Sequence, residues 1–222
     1  MPNIFDIGRD SQSYLQKVNQ LYINLNLQPF ILLARPRNEV YTNKIARENF
    51  KKDLKYIIGK GLINLEIPWE DNKHWFDLMC DLKSNFPNIK LGSATIINKK
   101  SIDDSLKIGL DFSMMRTWQK DLYAYSIQKN YLLIPGLTKL KDLKEAVKLN
   151  CRMIKIFPIK NKEKNLNIKH NKNIYFIGAG DISLSDLKKY STEGYSGLII
   201  GSKGYDGKVF DPQILNWLKA NI

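Results

Sequence analysis

Met153-Ile154-Lys155-Ile156-Phe157-Pro158 is a short apolar run closed by a proline, with one charge set between two isoleucines. Runs of this kind recur at residues 30–35, 62–68, 90–95, 111–116, 131–136, 174–180 and 197–202, which with 153–158 makes eight candidate strands. Between most of them the apolar residues change to helical spacing. Trp75, Met79 and Leu82 share one face, Leu140, Leu143 and Val147 a second, Leu184, Leu187 and Tyr190 a third, and Ile214, Trp217 and Leu218 close the chain. Strand and helix in alternation imply a parallel sheet, since parallel neighbours need a crossover between them. Eight repeats favour an α/β fold of the (β/α)8 TIM-barrel type over an open doubly wound sheet. The open sheet also lacks its phosphate-binding Gly-x-Gly-x-x-Gly turn after the first run.

Residues 1–28 stand ahead of this alternation as an N-terminal helical extension, and 29–222 form the barrel domain. Leu15, Val18, Leu21 and Leu25 predict an extra N-terminal helix, packed across one barrel end or against the other helices. The stretch 160–172 is the exception among the connections. It is rich in Lys and Asn with little apolar periodicity, so a short helix or a loop is expected there.

At 222 residues the chain suits one large core, and 43% hydrophobic residues with 26% charged is ordinary globular usage. No apolar stretch approaches the roughly 20 residues that cross a bilayer, so no membrane partner is expected. The N-terminus shows no basic region followed by an apolar block, and Cys80 and Cys151 have no metal-ligand spacing. A reduced cytoplasmic protein without a metal is the expectation. The net charge of +13 is spread over nearly every helix and loop instead of forming one block. Solvated helix faces are therefore favoured over a specific nucleic-acid surface. His74 and His170 have no ligand-spaced carboxylate or cysteine and are read as surface residues, and Cys151 as a small buried filler.

Two charges sit where strands should be buried. Period two puts Lys155 opposite Ile154 and Ile156, and the isoleucines belong against the helices, so Lys155 faces the barrel interior. In Leu62-Ile63-Asn64-Leu65-Glu66-Ile67-Pro68 the same rule sends Ile63, Leu65 and Ile67 outward and Asn64 and Glu66 inward. Burial disfavours the charged amine, so the lysine pKa falls toward neutrality and the amine becomes nucleophilic. A structural Lys155–Glu66 ion pair, or a lysine reaching up to the strand end, fits the period equally well.

Leu65-Glu66-Ile67, Gly92-Ser93-Ala94-Thr95, Ile134-Pro135-Gly136 and Lys155-Ile156-Phe157-Pro158, in this order and spacing, resemble the 2-keto-3-deoxy-6-phosphogluconate (KDPG) and 4-hydroxy-2-oxoglutarate (KHG) aldolase family. The resemblance runs from about residue 29 to the C-terminus. It implies a class I lyase, cleaving a 2-keto-3-deoxy sugar acid, phosphorylated or not, or 4-hydroxy-2-oxoglutarate to pyruvate and an aldehyde. Lys155 would form the Schiff base and Glu66 would move protons. Arg35, Thr95, Pro135, Phe157 and Arg116 would bind the keto acid, and Gly180 and Ser202 a phosphate. No cofactor is implied, because the iminium is the electron sink, and the family's habit implies a homotrimer.

Three positions depart from the family pattern. Glu70 stands where a carboxylate-binding arginine is usual, Met115-Arg116-Thr117 replaces Ser-Pro-Gly, and Gly180-Asp181 replaces a Gly-Gly pair. Arg116 is the candidate substitute for the missing arginine. Asp181 beside a phosphate requires Lys203 or Lys208 to offset it. A diverged barrel with another substrate, or a ligand-binding role without catalysis, is the alternative these positions allow.

Overall fold

Each apolar run expected from the sequence becomes a parallel strand. The computed structural model describes residues 12–163, 166–169, 171 and 173–221. Helix α1 (Gln12–Leu27) leads into β1 (Phe30–Leu33), then α2 (Glu39–Thr42), α3 (Lys44–Gly59), β2 (Asn64–Pro68), α4 (Lys73–Asn85) and β3 (Lys90–Ile96). After these come α5 (Lys99–Ile108), β4 (Phe112–Met115), α6 (Lys120–Gln128), β5 (Leu133–Ile134), β6 (Gly136–Leu137) and α7 (Leu140–Lys148). The chain finishes with β7 (Met153–Ile156), β8 (Tyr175–Ala179), α8 (Leu187–Thr192), β9 (Gly197–Ile200) and α9 (Pro212–Ala220). Asparagine starts several of these helices. The side chains of Asn43, Asn72 and Asn98 accept backbone N–H bonds in the first turns of α3, α4 and α5.

The strands hydrogen-bond in the order β5-β4-β3-β2-β1-β9-β8-β7-β6. Its two ends, β5 and β6, are successive pieces of one strand separated by Pro135, which has no N–H for a ladder. β5 pairs with β4 and β6 with β7, so the ring closes through that single residue as a (β/α)8 barrel. The crossing is tight. A Cβ on Gly136 would lie 2.4 Å from the Arg116 carbonyl oxygen, so only glycine fits there.

Alternation divides the core into two layers. Phe30, Leu32, Leu65, Ile67, Leu91, Ile154 and Ile156 face the helices. Ile31, Phe112, Met114, Leu132, Ile134, Met153, Ile177 and Ile199 fill the lumen, and Val18, Leu21 and Leu25 of α1 pack onto them. The extra helix therefore closes the floor of the barrel. Polar contacts hold it: Asn64 donates from Nδ2 to the carbonyls of Asn24, Gln28 and Phe30, and Gln28 Oε1 accepts from the Ile63 and Asn64 amides. Tyr22 stacks on Tyr175 at the base of β8, with ring centroids 3.9 Å apart.

Two helical expectations need correction. Val147 is 43% exposed, and Leu143 and Ala146 are the buried residues of α7. Ala146 projects about 60° to one side of Leu143 and Val147 about 40° to the other, and the sheet lies on the alanine side. Leu184 is buried in a 3-10 turn (Leu184–Asp186) that precedes α8, not in the helix itself. Among the described residues of 160–172 there is no α-helix. A 3-10 turn (Ile159–Asn161) and two buried anchors, Leu166 and Ile168, make that connection.

If α1 is an integral floor, Leu25→Ala lowers stability by about 2–5 kcal/mol, read from the midpoint of chemical denaturation. Ile23→Ala on the exposed face of the same helix changes it by no more than about 0.5 kcal/mol. Equal effects would mean that α1 rests on the barrel without being part of its core.

Candidate active site

β2 and β7 have three strands between them on each side of the ring when β5 and β6 are taken as one strand. Inward side chains from them therefore approach across the lumen. Glu66 and Lys155 are those side chains, 1% and 6% exposed. Together they line a cavity of about 340 Å³ at the C-terminal strand ends, with Leu33, Arg35, Ala94, Thr95, Arg116 and Phe157 around them. Its remaining wall comes from Ala179, Gly180, Asp181, Ile182, Ile199, Gly201, Ser202 and Lys203. This is the end of a (β/α)8 barrel where active sites are built.

Most of the expected site residues thus meet in one place. Pro135 does not line the cavity. Its carbonyl accepts the Lys155 amide N–H at 2.9 Å, so it fixes the strand that carries the lysine. The backbone also sets Thr95. It has φ 62°, a left-handed conformation that a β-branched residue adopts only under constraint, where the β3–β4 register shifts between Ser93 and Ile96. Such strain costs of order 1–3 kcal/mol and collects at functional positions.

The two buried charges do not form a closed ion pair. Glu66 Oε2 is buried with no hydrogen-bond partner. Burial pushes the Glu66 carboxyl above its usual range, while the charges of Lys155 and then Arg35 oppose that rise. Burial likewise pushes Lys155 below its usual range. The Glu66 carboxylate resists this, and Arg35 and Arg116 add to it. The ammonium lies 5.5 Å from the Phe157 ring centroid. Desolvation thus favours the neutral acid and the neutral amine, the forms needed for proton delivery and for nucleophilic attack.

Glu70 is exposed and outside the cavity lining; it lies near the buried Tyr41 hydroxyl, whose pKa burial raises first and Glu70 second. Its charge does not enter the site. Asp181 does reach the rim, and Lys203 offsets it at 2.9 Å as expected, but the second partner is Lys160 at 2.8 Å and not Lys208. Lys160 was missed because it lies beyond the apolar run, on a 3-10 turn whose direction no periodicity reveals. Cys151 is buried and donates to the Met153 carbonyl, and burial pushes its thiol up to about 11. His74 is half-buried in the first turn of α4, and His170 lies outside the described residues. Among the described residues no cluster of His, Cys, Asp and Glu could hold a metal, and no helix is long and apolar enough to cross a membrane.

A buried amine facing a buried carboxyl at the mouth of a parallel barrel defines a class: (β/α)8 proteins with a lysine inside the cavity. Within it the chain belongs to the KDPG and KHG aldolase family, whose profile matches residues 43–214. Solved structures are similar in fold. The 2-keto-3-deoxy-6-phosphogluconate aldolase of Zymomonas mobilis ZM4 with 3-phosphoglycerate is 18% identical, with a TM-score of 0.74 over 92% of this chain and 94% of its own. The KDPG aldolase of Legionella pneumophila, with pyruvate captured as a covalent carbinolamine, is 16% identical, with a TM-score of 0.68 over 86% of this chain and 93% of its own. No protein of curated function matches the sequence.

The electrostatics predict opposite shifts in two variants. Glu66→Gln removes the carboxylate that holds the lysine up, so Lys155 titrates at lower pH than in the parent. Arg116→Ala removes a cation that pushes it down, so Lys155 titrates at higher pH. The pH dependence of Lys155 acylation, followed by peptide mass spectrometry, reads both; shifts of the same sign would contradict this account of the site.

Proposed function

We propose that this protein is a class I aldolase that cleaves a 4-hydroxy-2-oxo acid or 2-keto-3-deoxy sugar acid to pyruvate and an aldehyde. The observation that carries the reading is the Lys155 amine, held in the lumen and facing Glu66 without a closed ion pair between them. Membership of the aldolase family supports the reaction class.

The steps follow from the chemistry of the residues. Neutral Lys155 adds to the C2 carbonyl, and Glu66 supplies the proton that lets water leave the carbinolamine. The iminium so formed draws electrons from the C3–C4 bond. Glu66, now a carboxylate, takes the proton of the C4 hydroxyl as that bond breaks. The aldehyde departs, leaving an enamine that is protonated at C3 and hydrolysed to pyruvate. Arg35 and Arg116 line the cavity and have no ion-pair partner among the described residues, so they suit the C1 carboxylate, together with the Thr95 hydroxyl. Phe157 offers a flat apolar face to the planar adduct.

Borohydride reduction in the presence of pyruvate should leave one pyruvate-derived adduct on the peptide containing Lys155, and none in Lys155→Met. Glu66→Gln should still accept the adduct while turnover falls about 10²–10⁴-fold. A parent protein that gains no adduct refutes the aldolase reading.

A further inference from the structure

Barrels of this kind frequently bind phosphate on the loops after their last two strands, and here those loops follow β8 and β9. The sequence turns there through Gly180 at φ +105°, which leaves Asp181 in the left-handed region at φ 52° on the cavity rim. Its carboxylate takes both nearby ammonium groups, Lys160 at 2.8 Å and Lys203 at 2.9 Å, and its carbonyl accepts a further bond from Lys203 at 3.0 Å. The two lysines hold the Asp181 carboxyl down at about 2. The backbone donor of the next turn is also engaged. The Ser183 amide and hydroxyl both donate to the Asp186 carboxylate at 3.0 Å. The two ammonium groups that an incoming phosphate would use are therefore already paired with a carboxylate of the chain itself.

Charge at the ends of β1 and β4 is arranged differently. Arg35 and Arg116, from the ends of β1 and β4, have no carboxylate within ion-pair distance among the described residues. The cavity cations left free for a substrate anion are thus Arg35 and Arg116, not Lys203.

We propose that Asp181 is an internal stand-in for a distal phosphate, and that the cavity takes 2-oxo acids whose far end carries no phosphate. This rests on the aldolase reading for the identity of the near end. A phosphate placed at the rim would meet a fixed negative charge, and would have to break two ion pairs before it gained any. Asp181 is therefore a specificity-determining residue that acts by exclusion.

The test uses Asp181→Gly, which suits the left-handed backbone, and Asp181→Asn, which keeps the size and removes the charge. Inorganic phosphate binding to the full chain is measured by calorimetry in all three proteins. Both variants should bind phosphate about tenfold or more tighter than the parent. In the same variants the ratio of kcat/KM for a 6-phosphorylated 2-keto-3-deoxy acid to that for its unphosphorylated form should rise by a similar factor. Equal phosphate affinity in all three proteins overturns the proposal, as does a parent that prefers the phosphorylated acid. Pyruvate trapping run in parallel separates the two readings. If no adduct forms, the aldolase assignment fails, while the phosphate measurement still decides whether Asp181 closes the rim.

Discussion

A closed ring of strands leaves every second side chain only the lumen to enter, and that constraint organises this protein from floor to mouth. At the lower levels the lumen is satisfied by ordinary apolar packing: Ile31, Phe112, Met153 and Ile177 fill it and α1 seals it with Val18, Leu21 and Leu25. Near the top the same alternation delivers Arg35, Glu66, Arg116 and Lys155 into one cavity. No special loop is needed to bring acid and base together. They meet because strands on opposite sides of the ring carry them at inward positions.

Two polar residues on β2 show how differently the lumen treats its occupants. Asn64 and Glu66 are both fully buried and point the same way. The Asn64 amide donates to three carbonyls at the floor and so ties α1 and β1 to the sheet. Each keeps one buried oxygen without a partner, Asn64 Oδ1 and Glu66 Oε2, but only Glu66 is ionisable, and burial raises its proton affinity. A buried acceptor left unmade costs about 1–3 kcal/mol, a cost that the surrounding packing must offset. Lys155 bears a matching penalty on its charged form. Burial thus weakens the fold at these two ionisable groups.

The alternation of runs and helical faces was enough to read the barrel, its extra helix and the inward direction of Lys155 and Glu66, because strand period and side-chain chemistry are local properties. What escaped were properties of the closed object. Whether Lys155 and Glu66 close on each other depends on the width of the lumen, which no spacing in the chain encodes. Thr95 has an ordinary strand-forming identity, and its left-handed backbone comes from a register shift against β4. Pro135 looked like a substrate contact but is the joint through which the ring closes. Glu70 stands at the position of a carboxylate-binding arginine but lies outside the cavity, since the chain leaves the strand after Pro68. Lys160 could not be placed at the rim without the turn that bends it back toward Asp181.

The family profile begins at residue 43, yet the structure is built from farther upstream. Strand β1, with Arg35, and the helix sealing the floor both precede that boundary. A chain trimmed to the matched span would lose one stave of the barrel and the stopper beneath it together. Water would then reach Met153 and Ile177 from below, and the dry surroundings that unsettle the charge on Lys155 would be gone. A segment upstream of the matched span is thus the one that keeps the cavity sealed from below.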